Sequence, residues 1–285
     1  MEFYDNKTVL VTGATGLIGS HIIDFLVKQG NVKVIALSRN EEKLKNGFKE
    51  YSNNPNFKYI AQDVSIPFEF NDDIDIIFHA AGPMEGKIIS NYPTSVIFPN
   101  ILGTKNCLDY IKLQKEQHNK NCRMVLFSSV TVYGNELDTD KTVSEEQTNY
   151  TSDTLESAKA CYSESKRLSE VIAHAYHKQF GCDIVIARFS TVYGNTRFIP
   201  DTAFFEFIKK AVNRENIVLN GSGFAPRDNI YIDDSPTNNL VVGSAGSGKT
   251  HIGKMLAQKL NYTFIDKDTV TRYYTDFVLS ANGSY

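Results

Sequence analysis

The sequence predicts an α/β protein built on a doubly wound parallel sheet. Three observations carry that expectation: short β-branched apolar runs alternate with longer stretches of helical period, a glycine-rich turn follows the first run, and 41% of the 285 residues are apolar against 22% charged. Alternating strand and helix patterns mark βαβ units, whose parallel strands are covered on both faces. Right-handed crossovers then make a Rossmann-type sheet the simplest topology for this order.

The first strand is expected at Thr8 to Thr12 and the second at Lys33 to Ser38, each an aliphatic run closed by a small polar residue. The others follow at Phe57 to Ala61, Ile74 to His79, Arg123 to Ser128 and Asp183 to Arg188. Helices fall between them; the first carries Ile22, Ile23, Phe25 and Leu26 along one stripe. The acid- and hydroxyl-rich stretch from Asn135 to Ser157 reads as a surface excursion overhanging the site. After Asp234 the pattern is interrupted by Ser235, Pro236 and two asparagines, and a new strand-loop-helix starts at Leu240. This divides the chain into a domain at 1–236 and a shorter segment at 237–285, matching the roughly two domains its length allows. The expected architecture is therefore a Rossmann-type sheet lacking most of a C-terminal substrate lobe, followed by a partial βα segment.

Composition excludes several classes of function. Thirty Lys plus Arg stand against 33 Asp plus Glu, with no long basic stripe, so no nucleic-acid partner is expected. No apolar run approaches the roughly 20 residues that span a bilayer, and Met1 to Lys7 lacks a signal-peptide pattern. No membrane partner and a cytoplasmic location are expected. Cys107, Cys122, Cys161 and Cys182 form no CxxC pair, which argues for inert core thiols over a zinc site or a disulfide framework.

The strand Val9-Leu10-Val11 runs into Gly13-Ala14-Thr15-Gly16-Leu17-Ile18-Gly19 and then a helix. Glycines there permit a tight turn and close backbone approach, so a pyrophosphate can sit on the helix N-terminus, where unpaired N–H groups and the dipole favour negative charge. Gly13, Thr15, Gly16, Leu17, Ile18 and Gly19 are thus candidate dinucleotide contacts. Three glycines alone would be an ordinary turn; the strand before and the helix after give them meaning. The second strand ends Leu37-Ser38-Arg39-Asn40, without the acid that holds the ribose 2′-hydroxyl of NAD. Ser38 is a cofactor-contact candidate, and Arg39 instead suits the 2′-phosphate of NADP, the modestly preferred form, although a solvated Arg39 beside NAD is the bland alternative. Asp63 and Val64, after the third strand, are candidates for the adenine side, against a loop Asp that merely caps a turn.

Tyr162-Ser163-Glu164-Ser165-Lys166 lies on an expected helix, where four-residue spacing puts Tyr162 and Lys166 on one face. A phenol is a poor base at neutral pH, but a nearby ammonium and an oxidised nicotinamide would favour its phenolate. Ser129, in the segment Phe127 to Gly134, ends a strand at the carboxyl edge of the sheet, where such sheets bind ligands, and can hydrogen-bond a reacting oxygen. A lone YxxxK is weak; together with the glycine loop and the serine strand it points to an enzyme.

The chain resembles the extended short-chain dehydrogenase/reductase family, in its NAD(P)-dependent nucleotide-sugar epimerase/dehydratase branch. The resemblance rests on TGATGLIGS, HAAG, PNILGT, SSVTVYG, YSESK and PRDNIYIDD, and covers about the first 235 residues. It implies that Ser129, Tyr162 and Lys166 are catalytic, that Lys166 also holds the nicotinamide ribose, and that Ala80, Ala81 and Gly82 line the cofactor. Asn100 would stand beside the active site, and Arg227 would bind the nucleotide diphosphate of the substrate. The departures matter equally. Sugar dehydratases carry an Asp-Glu pair after the catalytic Ser/Thr, and UDP-glucuronate decarboxylases a Glu at the second of these positions; here Val130 and Thr131 stand there, leaving Thr131 as a neutral substrate contact. Thr191 also stands where the family often has Asn.

A second phosphate loop follows. Leu240-Val241-Val242 leads into Gly243-Ser244-Ala245-Gly246-Ser247-Gly248-Lys249-Thr250, a full GxxxxGK(S/T) match. Gly243, Gly246 and Gly248 would cradle the phosphates of ATP, Lys249 would reach the β and γ phosphates, and Thr250 would hold Mg²⁺. The Asp266-Lys267-Asp268 segment resembles small-molecule P-loop kinases, which implies that Asp266 serves Mg²⁺ and Asp268 the acceptor hydroxyl; two solvated loop acids are the alternative. Only 35 residues follow Thr250, so weak or absent kinase activity is expected. The chain reads as two shortened modules joined: a fragment of a longer bifunctional protein, a fusion with a degenerate first domain, or an artificial junction.

The leading functional expectation is an NAD(P)-dependent nucleotide-sugar epimerase or reductase, with a homodimer as the candidate assembly. The alternatives are a bifunctional epimerase plus ATP-dependent small-molecule kinase, a UDP-glucuronate decarboxylase-like enzyme, and a catalytically inactive dinucleotide-binding protein.

Overall fold

The computed structural model describes residues 2–84, 86–134, 155, 157, 159–218 and 229–232. Strands β1 (Thr8–Thr12), β2 (Lys33–Ser38), β3 (Phe57–Ala61), β4 (Ile76–His79), β5 (Arg123–Ser129) and β6 (Asp183–Phe189) form one sheet in the order β3-β2-β1-β4-β5-β6. Every pairing in it is parallel. The order reverses between β1 and β4, so the connections that leave their paired carboxyl ends run in opposite directions and open a crevice at the switch point.

Helices α1 (Leu17–Lys28) and α2 (Glu41–Gly47) connect the first three strands. The short α3 (Gly86–Asn91) precedes α4 (Thr94–His118), and α5 (Ala160–Phe180) joins β5 to β6. Side chains alternate across the sheet, as the two-residue strand period requires. Val9, Val11, Val34 and Ala36 pack with Ile22, Ile23 and Leu26 of α1 in one core. Leu10, Ile35 and Leu37 pack in the other with Leu108 and Ile111 of α4 and Ala173 of α5. Each fully buried aliphatic of this kind contributes about 1.5–3 kcal/mol.

The first three strands fall where the sequence places them, and the others differ at their ends. Strand β4 starts at Ile76 and not at Ile74; Asp75, just before it, keeps backbone bonds to Thr8 and Arg123 at 2.9 Å, and its carboxylate accepts the Thr8 amide at 2.8 Å. Strands β5 and β6 each run one residue further, closed by the Ser129–Phe189 pair.

Beyond β6, β7 (Thr191–Tyr193) pairs in parallel with β8 (Asn229–Tyr231), and α6 (Ala203–Val212) lies between them in sequence. The intervening chain is pinned across the sheet. Arg197 holds both oxygens of Asp24 on α1 at 2.7–3.0 Å, donates to the Gly47 carbonyl at 2.8 Å and pairs with Glu50. The Phe198 ring lies where a Cβ on Gly47 would stand. Apart from Leu155 and Ser157, the expected excursion from Asn135 to Ser157 lies outside the described residues, as do the boundary after 236 and the segment beyond it.

Candidate active site

The glycine loop is built by contacts that no side chain permits. Gly13 sits at φ +69°, and a Cβ there would stand 2.7 Å from the backbone of Ala80 and Ala81. A Cβ on Gly19 would stand 2.3 Å from the Gly13 carbonyl oxygen, so its absence lets α1 close onto the loop. Gly16 caps α1 without a side-chain hydrogen bond, and the first helical amides have no intrahelical acceptor. Leu17 and Ile18 send their side chains against the first core, which leaves their amides as their polar contribution. Thr15 Oγ1 meets Ser38 Oγ at 2.8 Å, tying the loop to the end of β2.

Thr12 and His79 join the ends of β1 and β4 beneath this loop. Thr12 Oγ1 meets His79 Nδ1 at 2.8 Å and accepts the Ala81 amide at 3.3 Å, which fixes the Ala80–Ala81 turn. Burial, with the Lys166 charge nearby, pushes the His79 imidazole down to about 3, so it is neutral. Next along, a Cβ on Gly82 would stand 2.5 Å from Asn100 Oδ1 and 3.1 Å from Lys166 Nζ.

Asn100 is held by α5: its Nδ2 donates to Ser165 Oγ at 2.9 Å, and its carbonyl accepts from Thr104 and Ser169. Its Oδ1 is buried and has no hydrogen-bond partner. A buried acceptor left unpaired costs about 1–3 kcal/mol, and this one lies between Gly82 and Lys166.

Ser129, Tyr162 and Lys166 converge beside it. Ser129 ends β5 and caps the 3-10 turn Val130–Tyr133, accepting the Thr131 amide at 3.2 Å. Its hydroxyl lies near enough to the Tyr162 phenol to hold the phenol's pKa down. Lys166 follows one turn along α5, with Nζ 5.9 Å from the Tyr162 ring centroid and donating to the Phe127 carbonyl at 2.9 Å. All three side chains are buried. Burial pushes the Lys166 ammonium down to about 8, opposed by the Glu170 charge. The expected influence of the ammonium on the phenol does not dominate: burial raises Tyr162, and the nearby Ser129 hydroxyl is the effect that lowers it.

The other candidates are placed as follows. Asp63 caps a turn through the Ser65 amide at 2.8 Å, and its second oxygen lies 3.9 Å from Arg39, a side chain 63% exposed. Val64 is buried, and its carbonyl accepts from Asn106. The Thr131 hydroxyl is buried without a partner. Arg227, Gly243, Gly246, Gly248, Lys249, Thr250, Asp266 and Asp268 lie outside the described residues. Residues not singled out from sequence complete the site: Thr12 and His79 under the loop, Ser165 and Ser169 behind Asn100. The only trace of the serines is small polar residues on the inner face of an otherwise amphipathic helix.

A dinucleotide suits this arrangement on two structural grounds: the helix amides facing the loop, and the orphaned acceptor at Asn100. Among the described residues there is no cluster of His, Cys, Asp or Glu that could hold a metal, and no helix long and apolar enough to cross a membrane. None of the four cysteines is in a disulfide, and Cys107, Cys122 and Cys182 are buried as expected of core thiols.

Residues 9–252 match the model of the NAD dependent epimerase/dehydratase family. The chain belongs to this family. Among relatives, UDP-glucuronic acid decarboxylase 6 of Arabidopsis thaliana is 30% identical over 234 residues, 81% of this chain and 64% of its own length. UDP-glucuronic acid decarboxylase 1 of Danio rerio is 29% identical over 232 residues, and this chain spans 52% of it. Among solved structures, UDP-glucuronic acid 4-epimerase from Bacillus cereus in complex with NAD is 31% identical at a TM-score of 0.62, over 80% of this chain and 69% of that one. UDP-N-acetylglucosamine 4-epimerase from Methanobrevibacter ruminantium M1, in complex with UDP-N-acetylmuramic acid, gives 26% and 0.63, over 80% and 70%. Residues 245–276 match the shikimate kinase family, sharing 245–252 with the first match.

Proposed function

We propose that the chain is an NAD(P)-dependent nucleotide-sugar 4-epimerase, in which Tyr162, Lys166 and Ser129 work on a sugar carbinol. The observation that carries the reading is the convergence of these side chains with the glycine loop and the unpaired Asn100 oxygen at the carboxyl edge of the sheet. Tyr162 takes the proton of the sugar hydroxyl and later returns it, while Ser129 holds the oxygen as its charge changes. Lys166 holds the cofactor ribose and supplies positive charge beside the phenol. Bound in this cradle, the nicotinamide supplies the acceptor and donor of hydride. Asn100 Oδ1 would accept a hydrogen bond from the cofactor, and Thr131 and Arg227 would hold the substrate.

Epimerisation is favoured over decarboxylation because Val130 and Thr131 present no carboxylate beside Ser129. UDP-glucuronic acid is the first substrate to test, since it appears in the names of both decarboxylase relatives and of the Bacillus cereus epimerase. Incubating the chain with NAD or NADP and UDP-glucuronic acid, followed by proton NMR of the sugar, is expected to give the C4 epimer. Loss of the carboxyl carbon as CO₂ would instead select the decarboxylase reading, and no turnover of any nucleotide sugar would leave a dinucleotide-binding protein.

NADP is preferred over NAD in this proposal. Arg39, mostly exposed at the end of β2, and the linked Thr15–Ser38 hydroxyls offer donors to a 2′-phosphate, and no acid occupies that strand end. The assembly is proposed to be a homodimer in the cytoplasm, in keeping with four cysteines that form no disulfide. Domains at 1–236 and 237–285 remain the proposed division. The shikimate kinase match favours a second reading for the latter segment, as an ATP and Mg²⁺ site formed by Lys249, Thr250 and Asp266. Stabilisation by ATP and Mg²⁺ in a melting experiment, lost in Lys249→Ala, is the expected result.

A further inference from the structure

Tyr162, Lys166 and Glu170 follow one another at four-residue steps on α5 and share its inner face. Glu170 forms a two-pronged pair with Arg188 of β6: Nε to Oε1 at 3.0 Å and Nη2 to Oε2 at 2.7 Å, with the Glu170 side chain only 10% exposed. The third arm of the same guanidinium donates from Nη1 to the Tyr133 hydroxyl at 2.9 Å, and its central carbon lies 4.7 Å from the Tyr133 ring centroid. Tyr133 closes the 3-10 turn that Ser129 opens. Arg188 is also the register partner of Ser128. One guanidinium thus gathers the helix bearing Tyr162 and Lys166, the strand beside Ser129, and the turn Ser129 caps.

We propose that Arg188 is a positioning residue for the reaction: through Glu170 and Tyr133 it locks α5 against the Ser129 turn, and it neutralises the carboxylate one helical turn from Lys166. The proposal rests on reading Ser129, Tyr162 and Lys166 as the reacting groups. The titratable groups that reach Lys166 are Tyr162 and Glu170 on its own helix and His79 from β4, while Arg188 from β6 acts on it through its pair with Glu170. His79 is neutral, so the field at Lys166 is set by the Glu170 carboxylate and by how far its paired Arg188 offsets it. A pair this buried is held by geometry, and removing one partner strands the other's charge. The planar fork reaches Glu170 and Tyr133 together, which a lysine ammonium does not reproduce.

The test is a set of four variants followed over pH in the full chain: Arg188→Met, Arg188→Lys, Glu170→Gln and the double variant Glu170→Gln/Arg188→Met. Arg188→Met is expected to lower kcat by about tenfold or more with little change in KM, because displacing the reacting groups from each other costs turnover more than binding. It is also expected to move the alkaline limb of the kcat profile upward, since Glu170 is left unbalanced. Glu170→Gln moves that limb downward, and the double variant returns it towards the wild-type position. Arg188→Lys keeps the limb in place yet loses kcat. A parallel NMR titration of the Lys166 Nζ in resting protein, assigned with Lys166→Arg, reads the same opposite shifts without any turnover. If the wild type proves inactive while Lys166 still shifts in opposite directions, the enzymatic reading fails and the charge balance stands. Limbs that coincide in all variants, with kcat tracking only the folded fraction, overturn the proposal. Should Arg188→Met fail to fold, Glu170→Gln and Arg188→Lys still carry opposite expectations for the limb and decide the matter.

Discussion

Lys166 donates from Nζ to the carbonyl of Phe127, 2.9 Å away and two residues before Ser129. A buried ammonium is thereby fixed against the strand that presents the serine, at a cost in desolvation. In the folded chain its pKa falls from 10.5 to about 8, so between these values the unfolded chain binds more protons and stability rises with pH. The penalty is fully present below about pH 8 and is relieved towards pH 10.5, amounting to a few kcal/mol, on the order of 1.4 kcal/mol per pH unit. The difference in urea stability between wild type and Lys166→Met should therefore shrink or change sign in favour of wild type across this range. A difference independent of pH would mean the ammonium is not desolvated as described.

Gly13 is constrained twice, by φ +69° and by the Ala80–Ala81 backbone where a Cβ would fall. Gly13→Ala is expected to cost about 1–2 kcal/mol from the backbone conformation alone, with a further loss from the collision. Chemical denaturation measures the first effect and dinucleotide titration the opening of the cradle. Unchanged values for both would contradict the packing of β1 on β4.

Arg197 ties the chain after β7 to α1 and the end of α2, and its pair with Asp24 is roughly three-quarters buried. Replacing it with Met should destabilise the protein by about 1–3 kcal/mol, the upper values for buried pairs being reduced by the remaining exposure. A urea midpoint unchanged in Arg197→Met would show that the strap contributes nothing.

Arg39 is assigned the 2′-phosphate of NADP. Its removal in Arg39→Ala should weaken NADP binding by about 10–100-fold, the worth of a hydrogen bond to a charged group, and leave NAD nearly untouched. Isothermal titration with both cofactors reads the ratio; equal losses for the two would remove Arg39 from cofactor selection.

Much of this was legible in the sequence because the signals are local. The six main strands follow from aliphatic runs, and the Tyr162–Lys166 face follows from four-residue spacing. What stayed hidden depends on reach across elements. The Asp75 carboxylate accepts the Thr8 amide across 67 positions of chain, and nothing in the Ile74-Asp75-Ile76 run announces it. Arg188 reads as the end of a strand until the register sets it beside Ser128 and within reach of Glu170 and Tyr133. The phenol was expected to be tuned by Lys166 because spacing brings the two residues together. Burial instead dominates, and burial is a property of the packed whole.

The central claim is that Tyr162 carries the proton of the reacting sugar hydroxyl, and Tyr162→Phe tests it most directly. Turnover of UDP-glucuronic acid should fall by about 10²–10⁴-fold, the usual share of general acid–base catalysis, while NAD(P) binding by titration stays at the wild-type value. Turnover equal to wild type in that variant, with cofactor still bound, would contradict it.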